Sequence, residues 1–144
     1  MTEAKISLRE GFKTTISSGG HSIITDEPLS AGGQDLGPTP MQLLAGSLGA
    51  CVAITVKLYT ERKGWPLEGV DVNVTLERIK GADYPAYQGD EDFVHEFKVD
   101  VAFKGDLSDE QRARLMEIAG KCPVHRALTM PAFVLKTLVE PESA

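Results

Sequence analysis

Cysteine is scarce in this chain: 144 residues hold two, too few for the disulfide framework that staples small secreted domains. Each would ordinarily be read as a small buried hydrophobe. Basic charge is also short, with 15 Lys and Arg against 21 Asp and Glu and a formal net charge of -6. Nucleic acid and anionic membranes repel such a chain, which argues against non-specific binding to either. The opening MTEAKISLREGF contains acidic residues and no apolar run, so no secretory signal is expected. No Gly-rich loop sits between a strand and a helix. Gly32-Gly33 lacks that setting, which removes the usual phosphate loop. No Ser-His-Asp order stands out, and internal repeats, low-complexity tracts and linkers are missing. Hydrophobic content of 42% and charged content of 25% are ordinary for a single globular domain, here spanning 1–144. The expected compartment is the cytoplasm, where a disulfide is transient rather than structural.

What is present is organised around Gly37 to Gly64, GPTPMQLLAGSLGACVAITVKLYTERKG. No charge falls between Asp35 and Lys57. Pro38 and Pro40 suit a first helical turn, and Arg62, Lys63 and Gly64 suit a last one. The stretch predicts one helix of about 23 residues, roughly 35 Å long. Leu43, Leu44, Leu48, Val52, Ile54, Val56 and Leu58 spread over more than one face, which marks a buried helix or a membrane span. Gln42, Gly46, Ser47, Gly49 and Thr55 favour a buried helix, with no membrane involved. Gly46, Gly49 and Ala50 leave a groove for close approach of another backbone.

Before this helix, Lys5 to Arg9, Phe12 to Ser17 and His21 to Thr25 predict a small antiparallel meander, followed by a Gly/Pro-rich loop. After it, Gly69 to Ile79 alternates apolar and polar residues, and so does the run from Phe93 to Lys104. The two predict a pair of long antiparallel strands. His95 falls on the apolar side of the second strand, as a core or edge histidine. The loop between the strands carries Tyr84 and Tyr87, placed to line a pocket or simply to fill a loop. Ser108 with Gln111 is a capping box for a helix from Asp109 to Ala119. Ala132 to Val139 predicts a last strand. The order implies an α+β domain: one long buried helix against curved antiparallel sheets. So apolar a helix exceeds what one small sheet covers, and a dimer is expected to cover the rest.

Cys51 lies inside the long helix, where no free amide stabilises a thiolate, and burial alone leaves it inert. Cys122-Pro123 places the second sulfur near an N-cap, where free amides and the helix dipole favour an anion. His125 and Arg126 stand within a turn as possible cations. By residues alone Cys122 is the more acidic thiol. A rival site would bring Cys51, Cys122, His125 and His21 onto zinc, but C-x-x-H is a weak pattern and no metal is expected.

These residues together resemble the OsmC/Ohr family, the osmotically inducible and organic-hydroperoxide-resistance proteins. The likeness rests on GPTPMQLLAGSLGAC in the long helix, ERKGWPLEGV after it, and LSDEQRARL before KCPVHRAL, and is closest to the broad OsmC-like branch. It implies an intertwined homodimer with the long helices between two sheets. It implies a cysteine-dependent thiol peroxidase that reduces organic hydroperoxides in oxidative-stress defence, without a bound cofactor. Cys51 matches the attacking cysteine and Cys122 the resolving one, and an external dithiol reduces the resulting disulfide. Two positions depart from the family's peroxidases. Met41 follows Pro40 where they carry a glutamate, with Gln42 the nearest polar residue, and His21 follows Gly19-Gly20 where they carry an arginine. His21, His125 or Arg126 would then supply the cation. The alternative is a non-catalytic protein on the same scaffold, holding a small apolar ligand against Met41, Leu44, Leu48 and Tyr84.

Overall fold

A computed structural model describes residues 1–141. Three strands, β1 (Lys5–Leu8), β2 (Thr14–Ser18) and β3 (His21–Thr25), form an antiparallel meander in that order. A loop with one 3-10 turn (Leu29–Ala31) leads to helix α1 (Pro40–Lys63). Strands β4 (Leu67–Lys80) and β5 (Phe93–Gly105) form a long two-stranded ribbon, and helices α2 (Asp109–Ala119) and α3 (Pro123–Thr129) follow.

Local chemistry sets these boundaries. Thr39 caps α1: its hydroxyl accepts from the Gln42 amide at 3.2 Å, and the Gln42 side chain accepts from the Thr39 amide at 2.8 Å. Pro40 follows at the first helical position, where its missing N–H costs nothing. At the far end Gly64 takes φ 66°, a left-handed conformation that glycine adopts without strain. The ribbon register runs from Leu67 opposite Gly105 to Lys80 opposite Phe93, with one irregularity between Leu67 and Gly69. This register puts Val72 opposite Val101 and Val74 opposite Val99, and α1 lies on that apolar side. Gly49 is where the helix comes closest: a Cβ there would sit 3.2 Å from Val74 Cγ2. The close approach is to side chains of the sheet. Gly46 faces open space.

Leu48, Val52 and Val56 of α1, Leu115 and Ala119 of α2, and Cys122 form the buried centre. Arg112 ties α2 to the end of β5, donating to the carbonyls of Phe103 (2.8 Å) and Gly105 (3.0 Å). Arg114 Nε donates to the Tyr59 hydroxyl at 3.2 Å, joining α2 to the last turns of α1.

One expectation holds within the single chain and one changes. The long helix is buried along one stripe only: Ile54 is 60% and Leu58 55% exposed. One ribbon and two short helices cannot surround a helix apolar on every side. The strand expected over Ala132 to Val139 is not formed. That stretch carries no regular secondary structure, and Phe133 and Leu135 are exposed. Its β-branched and apolar pattern suits a strand, but a strand exists only where an edge pairs with it, and no described edge does.

Candidate active site

Three elements build the site. Cys51 sits about three turns into α1, held by the capped N-terminus and by the packing of Leu48 and Val52 on either side. The α2 helix ends at Gly120, and the Lys121 amide bonds back to the Ile118 carbonyl at 2.9 Å. That turn delivers Cys122 to the N-cap of α3, with Pro123 at its first position. The Cys122 sulfur accepts from the His125 amide at 3.1 Å. Both thiols are free. They face each other closely enough that Cys51 acts on Cys122 as a hydrogen-bond and charge neighbour. Cys122 is fully buried, whereas Cys51 is half-buried.

The N-cap geometry agrees with the sequence, but its electrostatic consequence is reversed. Burial pushes the Cys122 thiol above its ordinary pKa, and the neighbouring Cys51 pushes the same way. The amides of His125 and Val124 lower it but do not win. A seven-residue helix contributes a small dipole, and desolvation of a fully buried sulfur outweighs it. The Cys122 thiol is therefore held in its neutral form despite its N-cap position.

Beside this pair an apolar cavity of about 700 Å3 opens between α1, β5 and the α2–α3 corner. Met41, Leu44, Leu48 and Tyr84 all line it. So does His95, which the alternation of β5 had placed in the core or at an edge and which is in fact exposed on the cavity wall. Tyr84 is tied to the strand by Glu96, whose carboxylate raises the phenol's pKa by accepting its hydrogen bond. Tyr84 and Lys98 in turn hold the Glu96 carboxyl below its usual range, Lys98 Nζ lying 3.2 Å away. Cys51 is not itself on the cavity wall, although Leu48 and Val52 of the same helix are.

The remaining site candidates are scattered. His125 lines the cavity and its amide holds Cys122, but its ring and the exposed Arg126 are not among the groups that shift Cys122. His21 is exposed at the β2–β3 turn, paired with Ser18 across the hairpin. Gln42 uses its side-chain oxygen for the capping box. Among the described residues no three His, Cys, Asp or Glu side chains gather as a metal site. Met116 and Leu128 were missed from the cavity wall. Helical period turns Leu115 and Ile118 of α2 inward, as they are, but carries no sign of a cavity on the flank.

Comparisons place this architecture. The fold matches a protein from Psychrobacter arcticus 273-4 described as a putative osmotic stress induced and detoxification response protein, at 24% identity and TM-score 0.70, over 88% of this chain and 87% of that one. It matches an OsmC-like protein from Mycoplasma pneumoniae at 22% identity and TM-score 0.71, over 89% and 86%. It matches the organic hydroperoxide resistance protein OhrB of Bacillus subtilis at 22% identity and TM-score 0.60, over 88% and 90%. No curated protein matches the sequence. The family model for OsmC-like protein matches residues 32–136, which takes in α1, the ribbon, both cysteines and the whole cavity wall. The chain belongs to the OsmC-like protein family.

Proposed function

We propose that the protein is a cysteine-dependent thiol peroxidase that reduces organic hydroperoxides in peroxide defence. One observation carries this reading: a half-buried thiol and a fully buried one face each other beside a large apolar cavity. The named role of the Bacillus subtilis neighbour, organic hydroperoxide resistance, points the same way. In this reading the Cys51 thiolate attacks the outer peroxide oxygen. The O–O bond breaks, the alcohol leaves, and Cys51 becomes a sulfenic acid. Cys122 then condenses with it, expelling water and forming a disulfide, which an external dithiol reduces by exchange. Access supports this division of roles, because Cys122 is sealed from solvent and its raised pKa keeps it protonated until Cys51 is oxidised. The apolar wall suits an organic hydroperoxide better than hydrogen peroxide. The working setting is the cytoplasm, and the working form a homodimer.

The test is peroxide consumption by reduced protein with dithiothreitol, for wild type, Cys51→Ser and Cys122→Ser. Wild type turns over cumene hydroperoxide faster than hydrogen peroxide. Cys51→Ser falls to the rate of free dithiol. Cys122→Ser consumes about one equivalent and then slows. Loss of the first turnover in Cys122→Ser alone would reverse the roles. A second reading has its own observation: Cys51 does not line the cavity, and Met41 does. Wild type no faster than free dithiol, together with saturable binding of an apolar probe, would make this a ligand carrier.

A further inference from the structure

Four methionines occur in the chain, and two of them, Met41 and Met116, stand on the cavity wall, one from α1 and one from α2. Neither is buried: Met41 is 47% and Met116 49% exposed. Met130 is as open at 54% and Met1 is fully exposed, yet neither lines the cavity. A thioether is a soft nucleophile that peroxides convert to a sulfoxide. A hydroperoxide lodged against this wall meets two of them at high local concentration.

We propose that Met41 and Met116 form a second, sacrificial oxidation site, at which an organic hydroperoxide held in the cavity oxygenates the thioethers. The step balances without another reactant. A sulfur lone pair attacks the outer peroxide oxygen, an S–O bond forms and the O–O bond breaks. The hydroxyl proton passes to the departing alkoxide, giving the alcohol. Sulfur is oxidised by two electrons and the peroxide is reduced by two. The product changes the site as well. Each sulfoxide puts a strong dipole into a mostly apolar wall, which weakens the hold on an apolar occupant. The cavity thus loses affinity as it accumulates damage, and methionine sulfoxide reductase would restore it. This rests on the reading that organic hydroperoxides enter the cavity, but not on any reactivity of the cysteines.

Peptide mass spectrometry tests it, following oxygen addition at all four methionines in Cys51→Ser and, in parallel, in wild type under excess peroxide. With cumene hydroperoxide, Met41 and Met116 gain oxygen about fivefold faster than Met130, because binding raises their effective peroxide concentration. With hydrogen peroxide the order follows exposure, Met1 first and the other three alike. Excess 2-phenyl-2-propanol, the product alcohol, protects Met41 and Met116 and leaves Met130 unchanged. Oxidation that follows exposure with both peroxides, or protection that spares none, overturns the proposal. The outcome separates from that of the peroxidase reading. Cavity-selective oxidation in a protein with inert thiols keeps this inference alone. An active peroxidase whose methionines oxidise by exposure refutes it and leaves the peroxidase intact.

Discussion

Cys122 and Asp26 are both buried, and the chain treats them in opposite ways. Around Cys122 the packing is apolar, and desolvation keeps its thiol neutral. Burial also pushes the Asp26 carboxyl up. However, it accepts from the amides of Glu27 (2.8 Å), Gln34 (3.2 Å) and Leu36 (3.3 Å), and with Lys13 nearby these bring its pKa below the ordinary value. The signs of the pH dependence follow. Cys122, with a raised folded pKa, adds stability that is present below the ordinary thiol value of 9.0 and is lost as pH rises through the folded value. Asp26, with a lowered one, adds stability that is present above the ordinary 3.8 and is lost as pH falls through the folded value. Asp26→Asn keeps the size but cannot present two bare acceptor oxygens to three amides. Limited proteolysis is expected to cut it first between residues 27 and 37, with the rest of the chain resistant. Equal resistance to wild type would show that the three bonds do not hold the loop. The two thiols also differ in access. Iodoacetamide at neutral pH is expected to label Cys51 well before Cys122, and labelling of Cys122 first would contradict the burial argument.

Among the elements, those with local signals were legible. The α2 capping box, SDEQ, reads directly from the sequence and forms as written. The TPMQ box of α1 carries the same information, yet the resemblance draws attention to Gln42 as the nearest polar residue to the glutamate position that Met41 fills. Its oxygen instead closes the helix start. Thr39→Ala should therefore cost about 1 kcal/mol of stability, as lost N-caps do, read as a lower thermal midpoint. Alkylation of Cys51 should not change, because the cap lies about three turns away. A faster Cys51 reaction in that variant would mean the cap also tunes the thiol. The β4 and β5 strands were legible because strict alternation has no helical counterpart. What sequence could not supply was non-local. No residue pattern shows that Cys122 swings against Cys51, that His95 and Tyr84 share one cavity, or that burial beats an N-cap. The stretch Ala132 to Val139 failed for the same reason, since its pattern names a strand but not its partner.

At the scale of the molecule, the unfilled surfaces form one set. Ile54 and Leu58 lie bare on α1, Ile6, Leu8 and Ile23 on the meander, and Phe133, Leu135 and Leu138 on the tail. A single chain rarely leaves so much apolar surface in water. A second copy would cover α1 and offer the tail a sheet edge, and a stable interface of this kind buries about 800 Å2 per partner. The expected mass in solution is twice the 15.5 kDa of one chain. Ile54→Asp with Leu58→Asp should reduce it to one, because a carboxylate buried without a partner is costly. Gly46 supplies a finer test. In the single chain a Cβ there meets nothing within 4 Å. If α1 stays open to water, Gly46→Ala should stabilise the helix by up to about 1 kcal/mol, since alanine is the better helix former. If another helix packs on that face, the added methyl meets it, and the variant should lose thermal stability and dissociate at higher protein concentration. A stabilised variant of single-chain mass would show that α1 works uncovered. A destabilised one would place a second α1 against the first, within two turns of Cys51, and make the surroundings of that thiol a feature of the assembly.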